Sequence, residues 1–208
     1  MQKHVGKEDY MAIKLDMSKA YDRVEWSYLE SVMRRVGFTE RCFTLLMLCV
    51  KTVSYSILVN GEPKGMIYPT RGIRQGDPLS PFFFLLCTEG LNGLINMAAN
   101  KGNIKGYALC RYSPRLTHLF FADDSLLFYR ATIQECQQVL NILETYGRCS
   151  GQRINKTKTT IFFSKSTLEE VKNHIKSALD VPVILQYEKY LGLPSLVGKR
   201  KKGQLQLH

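Results

Sequence analysis

The stretch LTHLFFADDSLLFYR (116–130) constrains the fold more than any other part of the chain. Two runs dense in Leu, Phe and Tyr flank Asp123 and Asp124, and such runs read as strands joined by a tight turn. Asp suits turns because its carboxylate hydrogen-bonds nearby backbone, so a solvated turn is one reading of the pair. Adjacent carboxylates also repel, by about 4 kcal/mol at ~4 Å and an effective dielectric of ~20. Asn or Gly would turn the chain without that cost. The second reading is a cation site, and it needs a third carboxylate from another part of the chain.

With 208 residues, 45% hydrophobic and 23% charged, the chain can bury a real core in one domain or slightly more. No uninterrupted run of eighteen apolar residues occurs, so no membrane span is expected. The opening MQKHVGKEDY has no apolar signal core. Cys42, Cys49, Cys87, Cys110, Cys136 and Cys149 are scattered without a CxxC pair. They read as reduced core residues of an intracellular protein, and no zinc site is expected. A net charge of +11 and a pI near 9.4 point to a polyanion, nucleic acid above all. The run Lys199-Arg200-Lys201-Lys202 reads as a solvated tail, with a phosphate contact or a nuclear-localisation patch as alternatives.

MAIKLD (11–16) alternates, with Met11, Ile13 and Leu15 on one face and Lys14 and Asp16 on the other. Trp26, Leu29, Met33 and Val36 then recur at helical spacing until Gly37. A second helix is expected over 40–51, and a hairpin over 55–68 with an Asn60-Gly61 turn. Ser80 as N-cap and Pro81 at the first helical position open a buried helix. After the Asp-Asp hairpin comes a helix from Thr132 to Tyr146 that turns Ile133, Cys136, Leu140 and Leu143 inward. A strand over 157–164 and a helix with Leu168, Val171, Ile175 and Leu179 inward complete the pattern.

The fold class is therefore α+β, a split β-α-β-β-α-β (ferredoxin-like) sheet with helices on one face and the 55–68 hairpin inserted. In that arrangement the first strand is expected beside the strand entering the central hairpin. Asp16, ending the first strand on the open face, would then meet Asp123. Three carboxylates without His or Cys suit hard cations such as Mg²⁺. Two such ions about 3.5–4 Å apart assist phosphoryl transfer.

KLDMSKAYDRVEW (14–26), RGIRQGDPLSP (71–81), FADD (121–124), SGQRINKTKT (150–159) and YLGLP (190–194) occur in that order. Together they resemble the successive motifs of a reverse transcriptase, of the type encoded by plant non-LTR (LINE-like) retrotransposons. The resemblance covers roughly residues 8–198. It implies a polymerase palm with partial fingers in 1–193 and a basic tail in 194–208, the thumb missing. It implies an RNA-directed DNA polymerase that takes an RNA template, a DNA primer and dNTPs, with two Mg²⁺ ions (Mn²⁺ as substitute). A nuclear location follows from the retroelement analogy.

The resemblance makes Asp16 and Asp123 the main metal ligands, with Asp124 the third acid. Successive strand residues point oppositely, so the turn must re-aim one of the pair, and Asp124 ranks behind Asp123. Tyr21 matches a steric gate against the ribose 2′-hydroxyl, or else packs on the next helix. Lys19 and Ala20 would lie under the triphosphate, where backbone N–H groups hold phosphate oxygens. Asp22 and Trp26 are expected to cap and pack the helix. Arg74, Gln75 and Gly76 correspond to the loop touching nucleotide and template, Gly76 allowing close approach. Lys158 would neutralise or protonate the leaving pyrophosphate, or is simply solvated. Tyr190, Leu191 and Gly192 resemble the primer grip. His118 receives no role.

Few residues precede Asp16, and 194–208 does not continue as a thumb helix. The expectation is a polymerase fragment whose isolated activity is weak or absent. The alternatives are a non-enzymatic nucleic-acid-binding remnant and a remnant with no function.

Overall fold

The computed structural model describes residues 8–110, 112–121 and 124–180, and the backbone alone of 189–190 and 193–194. In chain order the elements are β1 (Tyr10–Leu15), α1 (Trp26–Val36), α2 (Glu40–Lys51), β2 (Tyr55–Val59), β3 (Glu62–Ile67) and α3 (Ser80–Asn100). There follow β4 (Tyr107–Ala108), β5 (Arg115–Leu116), β6 (His118–Phe121), β7 (Asp124–Arg130), α4 (Ile133–Ser150), β8 (Thr160–Phe163) and α5 (Glu169–Leu179). β9 (Lys189–Tyr190) and β10 (Leu193–Pro194) form a short antiparallel pair.

The main sheet runs β6-β7-β1-β8, every neighbour antiparallel. β1 is central, pairing Met11 with Tyr129 and with Phe163, and Ile13 with Leu127 and with Ile161. The two-residue side-chain period sends Met11, Ile13, Leu15, Leu127, Tyr129 and Ile161 to one face, and all six are buried. They form one cluster with Leu91 and Ile95 of α3, Val139 and Leu143 of α4, and Ile175 of α5. Each such side chain contributes about 1.5–3 kcal/mol on leaving water. A second cluster joins α1 (Leu29, Met33), α2 (Phe43, Met47, Val50) and the first half of α3 (Phe83, Phe84, Cys87) to Ala20, Val24 and Ile73.

α3 thus spans both clusters. It is long and apolar enough to cross a membrane by length and composition alone, a test that a buried core helix also meets. In this fold its apolar residues are the shared wall of the two cores, while Glu89, Asn92 and Asn96 on its polar side hydrogen-bond in series.

Several expectations are corrected. β1 lies beside β7, the strand leaving the central hairpin, and β6 is the sheet edge. β7 buries every second residue over its seven, whereas the four-residue β6 leaves Leu119 and Phe121 exposed, so β7 is the better central strand. Leu79, not Ser80, is the N-cap of α3. Asp77 does the polar work by accepting from the Leu79 N–H at 2.8 Å, and Ser80 is buried. Only Cys87 and Cys136 are buried among the six free cysteines. Val36, Ile133 and Leu168 are exposed because each lies at a helix end, beyond the packed turns. β8 begins at Thr160, after a turn through 156–158. Asp22 is exposed and does not cap α1, whose N-cap is Glu25. The Asn60-Gly61 hairpin forms as expected, both residues having positive φ, and stands exposed along its length.

Candidate functional site

Asp16 ends β1, and a distant segment holds its backbone. Its N–H donates to Thr159 Oγ1 (3.1 Å) and its carbonyl accepts from the Asn155 N–H (2.8 Å). Met17 bridges Ile154, and the Ser18 N–H donates to the Arg153 carbonyl at 2.8 Å. Residues 16–18 therefore run antiparallel to 153–155, extending the sheet edge by a short irregular ladder.

The chain then turns. Lys19 has φ 50°, and Ala20 is buried with its carbonyl accepting from Gln152 Nε2 at 2.7 Å. The half-buried Tyr21 ring stacks on Phe84, centroids 5.0 Å apart and planes 19° apart. The packing reading and the site reading of Tyr21 are thus compatible. The Tyr21 carbonyl accepts from the Ile73 N–H (2.9 Å) and the Val24 carbonyl from the Gly72 N–H (2.8 Å). Trp26 Nε1 donates to the Gly72 carbonyl at 2.7 Å. These bonds moor the 71–76 loop to the turn after Asp16. Gly72 has φ 87°, and a Cβ there would lie 2.8 Å from the Asp22 carbonyl oxygen. Gly76 has φ 90° but nothing within 4 Å of a Cβ position, so its conformation, not crowding by protein, asks for glycine.

One cleft of about 340 Å³ collects Asp16, Lys19, Ala20, Tyr21, Gln75 and Lys158. A neighbouring hollow of about 460 Å³ adds Arg71 and Arg74 beside Tyr55, and shares Asp22 and Gln75 with the first. Gly76 lines neither.

Asp124 opens β7. The β1–β7 pairing ends at Leu15 opposite Ser125, so Asp16 and Asp124 are the next residues along on the two paired segments. Alternation puts both on the face away from Leu15 and Ser125. Among the described residues neither carboxylate forms an ion pair or a side-chain hydrogen bond. Both carboxylates are hard oxygen donors of the kind that suits a divalent cation of the Mg²⁺ class. Asp123, Leu191 and Gly192 lie outside the described residues, as do the side chain of Tyr190 and the basic run 199–202. No group of three His, Cys, Asp or Glu is assembled among the described residues.

Asn155 lines this cleft, Thr159 and Gln152 hydrogen-bond the backbone of residues that line it, and none of the three was singled out from sequence. SGQRINKTKT draws the eye to its lysine. The available signal was Asn155-x-Thr157, which folds as an Asx turn, Asn155 Oδ1 accepting from Thr157 N–H at 3.2 Å and from its hydroxyl at 2.7 Å. His118 is a packed side chain, its ring nitrogens 3.0 Å from Asn92 Oδ1 and 2.9 Å from Thr117 Oγ1.

A family model described as reverse transcriptase (RNA-dependent DNA polymerase) matches residues 2–194, and the chain belongs to that family. It is 30% identical over 152 residues to a retrovirus-related Pol polyprotein from type-1 retrotransposable element R2 of Popillia japonica, covering 72% of this chain and 23% of that protein. It is 52% identical over 68 residues to an uncharacterized mitochondrial protein of Arabidopsis thaliana, covering 33% of this chain and 56% of that one. It is 27% identical over 153 residues to a 149 kDa protein of transposon TX1 of Xenopus laevis, covering 71% and 11%. The R2 and TX1 relatives are non-LTR retrotransposon proteins. The chain thus spans just over half of one curated relative and a quarter or less of the others. Apo telomerase of Candida tropicalis superimposes with a TM-score of 0.59 at 14% identity, over 77% of this chain and 32% of that chain. That likeness is one of fold.

Proposed function

We propose that the chain is the palm of an RNA-directed DNA polymerase, its main sheet the split β-α-β-β-α-β arrangement, with part of the fingers in α1, α2 and the β2–β3 hairpin. The reaction is attack of a DNA primer's 3′-hydroxyl on the α-phosphorus of a dNTP opposite an RNA template, with release of pyrophosphate. The observation that carries this reading is the single cleft in which three segments of the chain, 16–22, Gln75 and 155–158, converge.

Asp16 and Asp124, with Asp123, are the residues that would hold two Mg²⁺ ions, or Mn²⁺ in their place. Bound there, the ions would stabilise the attacking and leaving oxygens. Tyr21 offers its ring edge to the sugar, where a 2′-hydroxyl would crowd it. The backbone of 19–20 faces the triphosphate. Lys158 neutralises the departing pyrophosphate or gives it a proton. Arg74 and Gln75 contact nucleotide and template, and Arg71, Arg74 and Tyr55 give the neighbouring hollow the basic and aromatic character that suits a nucleic-acid strand. Gly76 lets the loop turn. Tyr190, Leu191 and Gly192 grip the primer end.

Primer extension on poly(rA)/oligo(dT) with Mg²⁺ tests this. Extension by the wild-type chain, lost in Asp16→Asn, is the expected result. Duplex binding without extension, indifferent to Asp16→Asn, would replace the reading with non-enzymatic nucleic-acid binding.

A further inference from the structure

Gln152 is 3% exposed, and its Nε2–H donates to the Ala20 carbonyl across 132 residues of sequence. A carbonyl only accepts, so this bond fixes which end of the amide is nitrogen. Gln152 Oε1 is buried with no partner among the described residues. A buried acceptor left unmet costs stability, and an apolar side chain of equal length would avoid that cost. The amide is therefore poorly explained by packing.

The residue before the contact supplies a second observation. Lys19 has φ 50°, in the left-handed region that L-residues other than Gly enter with strain. Such strain persists only where the surroundings enforce it, and it clusters at ligand sites. The Gln152–Ala20 bond is such an enforcement. The Ala20–Tyr21 peptide is trans, so its C=O and N–H point in opposite directions. With the carbonyl drawn to the buried amide, the Tyr21 N–H is directed away from the buried side of the turn. Ala20 and Tyr21 both line the cleft.

We infer that Gln152 is a positioning residue for nucleotide binding: its amide sets the Ala20–Tyr21 peptide, and with it the Tyr21 ring, in the attitude that receives the sugar and triphosphate of a dNTP. This rests on the polymerase reading. Gln152 touches no substrate and acts through the turn.

The test is steady-state extension on poly(rA)/oligo(dT), read as KM for dTTP, kcat, and the preference for dTTP over UTP, with thermal unfolding alongside. Gln152→Met keeps the length and removes both the donor and the orphaned acceptor. It is expected to raise KM about tenfold and lower the dTTP preference, with kcat within about twofold and an unfolding midpoint no lower than wild type. Hydrogen exchange in the 17–22 segment is expected to quicken. Gln152→Glu is expected to approach the wild-type KM as pH falls, because a protonated carboxyl regains the donor. It decides the matter should Gln152→Met not fold. Unchanged KM, preference and exchange in Gln152→Met, or a Gln152→Glu profile parallel to wild type, overturns the inference and leaves the polymerase reading standing. A wild-type chain that extends no primer overturns that reading, and the inference with it.

Discussion

The backbone N–H of Asp16 donates to the hydroxyl oxygen of Thr159, 143 residues away in sequence, at 3.1 Å. A residue at the tip of a strand is held at its root by the segment that also carries Lys158. Thr159 is itself buried, and its hydroxyl is the acceptor that meets the Asp16 amide.

Thr159→Val keeps the shape and removes the acceptor. The orphaned Asp16 amide is expected to cost about 1–2 kcal/mol, read from urea unfolding. Primer extension is expected to fall further than that loss of folded protein explains, because the carboxylate loses its fixed base.

Asp16 and Asp124 give a sharper contrast. Carboxylates gathered at one cation site repel when no cation is bound, so neutralising one is not expected to destabilise the protein. Asp16→Asn and Asp124→Asn are each expected to leave the thermal midpoint unchanged or raise it, while lowering extension by about 10³-fold. A parallel loss of stability and activity would mean that the pair is structural.

Two glycines of one loop differ in what they tolerate. Gly72→Ala drives a Cβ to 2.8 Å from the Asp22 carbonyl oxygen at φ 87°. It is expected to cost more than about 2 kcal/mol and to unmoor the loop. Gly76→Ala meets open space and is expected to cost only about 1 kcal/mol of backbone strain. Denaturant unfolding of the two variants measures the difference.

His118 predicts a pH effect. Burial lowers its pKa, partly offset by Glu89. A folded pKa below the unfolded one means that the unfolded chain takes up the proton first. The contribution is complete above the unfolded value of about 6.5 and is lost as pH falls through the folded value. His118→Gln is expected to flatten stability against pH in that window, measured by urea unfolding at a series of pH values.

The strands and helices were legible where apolar period and length agreed. β1 alternates, α4 and α5 carry an inward stripe, and Asn-Gly marks its own turn. Strand order was less legible. Nothing local in LTHLF or SLLFY says which of the two sits in the sheet centre. That depends on both flanks of β7 finding partners, a property of the whole sheet. Helix-end residues such as Val36, Ile133 and Leu168 fit the period yet are exposed, because a helix buries its middle turns first. Asp16, Tyr21, Gln75 and Lys158, singled out through the motif resemblance, line one cleft. Thr159 and Gln152 were missed because they act by hydrogen-bonding backbone far away in sequence, which no spacing rule encodes.

The polymerase reading requires that Asp16 and Asp124, with Asp123, hold divalent cations. Titration of Mn²⁺ into the chain with dTTP, followed by electron paramagnetic resonance of free Mn²⁺, measures it directly. The wild type is expected to withdraw Mn²⁺ from solution, and Asp16→Asn and Asp124→Asn each to abolish that uptake. Undiminished Mn²⁺ uptake by Asp16→Asn would contradict the account.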